Sequence, residues 1–120
     1  MKYMLLIYTA EDAWNDDERE ACFEESIKLT HDLHAAGQFI AASPLESVAT
    51  AASVRVRNGE RMVTNGPFAE TREQLGGYFL IEAENIEQAV DIASRIPSAR
   101  KGTVEVRPVF NLPGLPDTNS

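Results

Sequence analysis

Apolar residues in this chain fall into short unbroken runs and two longer stripes of helical period, with turn residues between them. Lys2–Tyr8 is apolar in both phases of a two-residue repeat: Tyr3, Leu5 and Ile7 in one, Met4, Leu6 and Tyr8 in the other. A strand with one wet face would alternate with polar residues, so this run predicts a central strand covered on both sides. Asn15 or Asp16 offers an N-cap to a helix that runs to Ala36 and stops at Gly37, with acids in the first turn where the helix dipole favours them. The helical spacing puts Cys22, Phe23, Ser26, Ile27, Leu29, Thr30 and Leu33 on one broad face. Glu24, Lys28 and Asp32 fall opposite, with Glu24–Lys28 as an i,i+4 ion pair.

Gln38–Ala42 reads as a second strand, and residues 45–52 show no clear period. In Ser53–Val63, Val54 and Val56 alternate with Arg55 and Arg57 around Asn58-Gly59, which predicts a hairpin with a tight primed turn and its arginines, Arg61 included, on the exposed face. Thr71 and Gln74 have capping-box spacing for a short helical turn, which Gly76-Gly77 would end. Residues 77–83 are again apolar on both faces. Asn85 and Gln88 cap a second helix with Ile86, Ala89, Val90, Ala93 and Ile96 on one side, ended by Pro97. Thr103–Val109 is a last strand, placed at an edge because Pro108 lacks an N–H.

The order is strand, helix, strand, hairpin, strand, helix, strand: two βαβ-like halves with an inserted hairpin, in one domain over residues 1–110 with a tail at 111–120. If both helices cover one sheet face, the two doubly apolar strands carry a second face that needs a non-aqueous neighbour, and a second copy of the sheet is the simplest one. Leaving five or six large side chains wet would forgo about 1.5–3 kcal/mol each, a sum that rivals the whole stability of a small domain.

The stretch Asn65-Gly66-Pro67-Phe68-Ala69-Glu70-Thr71-Arg72-Glu73-Gln74-Leu75-Gly76-Gly77-Tyr78-Phe79 resembles the signature of the DGPF-type branch of the YCII-related family. Met1–Tyr8, Ala35-Ala36-Gly37, Arg95-Ile96-Pro97 and Val104–Val109 extend the likeness over nearly the whole chain. The resemblance implies a ferredoxin-like β-α-β-β-α-β fold that pairs into a dimeric α/β barrel. It also implies a functional link to extracytoplasmic-function sigma factors. It supplies little chemistry, since the family's role is largely unassigned. Where the family carries Asp at the head of the motif, this chain has Asn65.

Composition narrows the partners. The 120 residues carry a formal charge of −8, much of it between Glu11 and Glu25, which disfavours nucleic acid and anionic lipid. Cys22 is the lone cysteine, so no internal disulfide or cysteine cage forms; with no signal-peptide pattern and no membrane-spanning run, the expected compartment is the cytoplasm. No metal and no cofactor is expected.

Candidate chemistry is sparse. Asn65 cannot act as the proton acceptor that the family's Asp would be, and is read as closing an Asx-type turn. Glu70 and Glu73 are weak acid/base candidates, against the blander reading as solvent-facing acids. His31 and His34 lie three apart on the first helix but lack further metal ligands; His34 is kept as a weak catalytic candidate and otherwise as a boundary histidine. Related YCII proteins are associated with a catalytic His–Asp pair, whose His aligns here with Glu24-Glu25, so the pair is absent. Tyr8, Ser43, Phe68 and Tyr78, with Asn65, Gly66 and Pro67, are the candidates to line a small cavity near the loop, against plain core and interface packing. Cys22 reads as a core residue, and Trp14 has no clear role.

The leading expectation is a homodimeric small-molecule-binding or regulatory module. The alternatives are a cofactor-free, monooxygenase- or isomerase-like enzyme and an interaction protein whose acidic helix meets a basic partner.

Overall fold

Four strands build one antiparallel sheet, and two more build a hairpin that stands apart from it. In a computed structural model, which describes residues 1–116, the elements run β1 (Lys2–Thr9), α1 (Asp16–Ala35), β2 (Phe39–Pro44), β3 (Ala52–Arg57), β4 (Glu60–Asn65), β5 (Gln74–Glu82), α2 (Ile86–Ser94) and β6 (Thr103–Pro108). The expected tail is described as far as Pro116, and its last four residues lie outside the described residues. The sheet order is β2-β5-β1-β6 with every neighbour antiparallel, so the two doubly apolar runs are the central pair and β6 is an edge.

Register assigns the two faces. Tyr3 opposes Ile81 and Leu5 opposes Phe79, and these four are buried with Leu29 and Leu33 of α1 and with Ala89, Ile92 and Ala93 of α2. Met4 opposes Leu80 and Leu6 opposes Tyr78 on the other face, where all four side chains stay partly exposed. Both helices therefore sit on one side of the sheet.

Local chemistry explains the helix ends. The Asn15 side chain accepts from the Glu18 N–H at 2.8 Å while the Glu18 carboxylate accepts from the Asn15 N–H at 3.1 Å, a closed capping box. At the other end the Gln38 N–H reaches Leu33 O at 2.8 Å and the Gly37 N–H reaches His34 O at 3.1 Å, a Schellman closure that needs Gly37 at φ +74. Asn85 caps α2 through the Gln88 N–H at 2.9 Å.

Several expectations change. No helical turn forms at Thr71: its hydroxyl donates to Glu73 O and the Gln74 amide donates to Thr71 O, each at 2.6 Å, and these side-chain bonds fold a bend that delivers Gln74 into β5 opposite Thr9. Gly76-Gly77 does not break that segment but lies inside the strand. A Cβ on Gly77 would come within 3.0 Å of the Ser43 carbonyl, so its absence lets β2 approach. β2 extends to Pro44 with an irregularity between Phe39 and Ala41. Lys28 pairs forward with Asp32 at 3.0 Å rather than back with Glu24.

The broad buried face expected of α1 shrinks to Leu29 and Leu33, with Phe23 46% and Ile27 57% exposed. α2 buries Ile92 beside Ala89 and Ala93, while Ile86 and Val90 turn outward. The primed turn is present, with Asn58 at φ 52 and Gly59 at φ 78. Arg61, however, opposes Val56 and shares the valine face rather than that of Arg55 and Arg57.

Candidate functional site

A cleft of about 580 Å³ opens where the N-terminal half of α1 stands off the sheet. Ile7, Phe39, Ala42 and Phe79 form its floor; Cys22, Phe23, Ser26 and Ile27 form its roof. Trp14 and Ser98 also line it, together with Glu11, Arg19, Ser43 and Leu45. Side-chain size explains the gap. Cys22, Ser26 and Thr30 occupy helix positions where a packed face would carry Leu or Ile, and they are too small to reach the sheet.

Polar clamps hold α1 at this distance. Pro97–Arg100 form a 3₁₀ turn after α2, from which Arg100 grips the Glu25 carboxylate at 2.9 and 3.2 Å. Lys101 donates to the Glu18 carboxylate at 2.7 Å and to Ala13 O at 3.1 Å, and its ammonium lies 4.8 Å from the Trp14 ring centroid. Trp14 thus has a role: it is the cleft wall that Lys101 pins. The Lys101 hydrogen bond, then the Asn15 N–H, hold the Glu18 carboxyl below its ordinary value; the Arg100 hydrogen bond does the same for Glu25. Glu11 accepts from the Val48 N–H and the Ser47 hydroxyl, both at 2.8 Å, and these bonds lower its pKa in that order of importance. Its carboxylate ties the 3₁₀ turn Val48–Thr50 at the foot of β3 to the cleft. Arg19 donates to Glu11 O at 3.2 Å.

The residues singled out from sequence do not converge. Ser43 lines the cleft, but Tyr8 and Tyr78 do not; Tyr78 pairs with Ser43 across β2 and β5 and sits with Leu6 on the open sheet face. Pro67 and Phe68 line a separate shallow groove with Arg55 and Met62 of the hairpin. Gly66, at φ +100, is fixed by its N–H to Ala51 O at 2.7 Å and by the Ser53 hydroxyl on its carbonyl at 2.8 Å. Backbone and Ser53 therefore close the hairpin end, where an Asx turn by Asn65 was expected. Glu70 is exposed; Glu73 accepts from the Thr103 hydroxyl at 3.0 Å; His34 is exposed in the last turn of α1. None of these three lines the cleft. Among the described residues no three His, Cys, Asp or Glu side chains gather as a metal site, and no helix is long and apolar enough to cross a membrane.

Glu11 and Trp14 escaped the sequence reading because their roles depend on partners 36 or more residues away, at Ser47, Val48 and Lys101. One signal was available: the small polar residues that interrupt the α1 stripe.

Comparison with known proteins matches most of the chain. The family model described as YCII-related domain matches residues 1–113. A protein of Rhizobium meliloti (strain 1021), named only as uncharacterized, is 34% identical over 114 residues, covering 91% of this chain and 92% of its own.

Proposed function

The chain belongs to the YCII-related domain family, and from that premise we propose that it is a homodimeric module that binds an apolar small molecule between α1 and the sheet. The cleft carries this reading. Its volume lies in the range of small-molecule sites, about 300–1,000 Å³, and aromatic and aliphatic side chains dominate its lining. Ser26 and Thr9 add hydroxyls that would orient a polar edge of the guest. Glu11 is already committed to Ser47 and Val48, which favours a binding role over proton transfer at that carboxylate.

The dimer reading rests on the open sheet face. Met4, Leu6, Tyr78 and Leu80 would be covered by the same face of a second copy, giving the dimeric barrel of two ferredoxin-like sheets; the order β2-β5-β1-β6 supports that assignment. The Asn65–Phe79 stretch resembles the DGPF-type signature and supports a reading of the chain as a member of that branch, and its single cysteine suits a reducing cytoplasm.

Trp14 is the only tryptophan and lines the cleft, so its emission reports on occupancy. Titration with 8-anilinonaphthalene-1-sulfonate is expected to quench Trp14 by energy transfer, saturably and at one dye per protomer. Ile27→Asn should weaken the dye by at least about 10-fold, since its side chain is 57% exposed in the cleft and its loss spares the core. Dye binding indifferent to Ile27→Asn and to Phe23→Ala would rule the cleft out as the site.

A further inference from the structure

The hairpin of β3 and β4 departs after β2 and returns to β5, and its extensive packing is between its own two strands. Every residue of β4 is exposed. On one face Val54, Val56 and Val63 sit together across the ladder at 62%, 59% and 49% exposure. A lone two-stranded ribbon is marginal in water, and a ribbon meant for water would not gather three valines on one side. The molecule is extended, with a radius of gyration of 16.2 Å where a compact 120-residue domain has about 13.6 Å, and the hairpin and the exposed segment after β6 both project from the sheet domain.

We infer that this hairpin is an intersubunit arm whose valine face closes on a second copy of the chain. Charge selects the occupant. Arg61 lies on the valine face opposite Val56, and Arg55 and Arg57 line the back of the hairpin with its single acid Glu60, so the arm is basic in a chain of net charge −8. On α1, Asp16, Asp17, Glu20 and Glu24 are exposed and lie outside the ion pairs that engage Glu18, Glu25 and Asp32. A basic arm on an acidic body complements another copy of that body, while the body repels phosphate backbones. The arm rests on the dimer reading above and adds to it a second, separable contact. It also bears on the cleft, because the Glu11 carboxylate joins the foot of the hairpin to the cleft lining through Val48 and Ser47.

Sedimentation of the full chain, paired with hydrogen exchange of the amides of residues 52–65, tests the arm. The wild type is expected to be a dimer whose hairpin amides are protected and lose protection on dilution. Val54→Asp with Val56→Asp should raise the dimer Kd at least about 100-fold, and Arg61→Glu about 10-fold, with sheet amides still protected as the control for folding. If the valine variant dimerises as tightly as the wild type, or the hairpin amides of the dimer exchange at open-chain rates, the arm is wrong while the dimer stands. If the wild type is a folded monomer at micromolar concentration, both readings fall.

Discussion

The two helices lie on the same face of one sheet and use it in opposite ways. α2 spans nine residues and is attached by packing: Ala89, Ile92 and Ala93 are buried, and Ile96 follows them into the core. α1 spans twenty residues yet buries only Leu29 and Leu33, near its C-terminal end. Its N-terminal half is attached by the charged bonds of Glu18 and Glu25 to Lys101 and Arg100. Packing is short-ranged and excludes a guest, whereas long polar side chains can hold a helix at a distance. The difference makes one half of this layer a core and the other half a cleft.

The sharpest way to break that contrast is to truncate one isoleucine in each half. Ile92→Ala is expected to cost about 2–5 kcal/mol in denaturant unfolding, because Ile92 is 3% exposed and the hole cannot refill. Ile27→Ala should cost less than about 1 kcal/mol and show its effect in dye binding. Comparable losses from both would mean that α1 is packed after all.

Gly102→Ala comes next. A Cβ there would collide with the Tyr8 carbonyl and crowd Thr9, backbone against backbone, so the turn carrying Lys101 must move off β1. The expected loss is about 1–3 kcal/mol, with a shift in Trp14 emission as Lys101 leaves the ring. Unchanged emission would separate the clamp from the cleft wall.

Acid has the smallest effect and the most local one. Glu11, Glu18 and Glu25 all have folded pKa values below the ordinary 4.5, so each binds its proton less readily when folded. Their contribution is complete above that value and is lost as pH falls through the lower folded values. Glu11 and Glu25 are exposed and Glu18 is half-exposed, so the loss is modest and screened by salt. Below pH 4.5 Trp14 emission should change before the far-ultraviolet circular dichroism of the sheet and α2 does. Simultaneous loss of both signals would show that the clamps and the core melt as one unit.

Much of the scaffold could be read along the chain, because the signals are local or periodic. The double apolar phase of Lys2–Tyr8 and of residues 77–83 marked the central strands, Asn15, Gly37 and Asn85 marked helix ends, and Asn58-Gly59 marked the hairpin. A side chain's hydrogen bond to a neighbour a few residues away, or a glycine's freedom at positive φ, is settled by the segment itself. The helical turn expected at Thr71 shows the limit even there, since the same capping chemistry also folds a bend that feeds a strand.

The cleft was decided elsewhere. Phe23 and Ile27 have the spacing of core residues, and only the position of the sheet beneath them reveals that they face a gap. Glu11 becomes a strut, and Trp14 a wall, through residues 36 and 87 positions further along the chain. Periodicity states which way a side chain points; what waits for it there depends on distances between elements. Those distances are set by whichever contact, a packed isoleucine or a bridging Lys101, holds the elements in place.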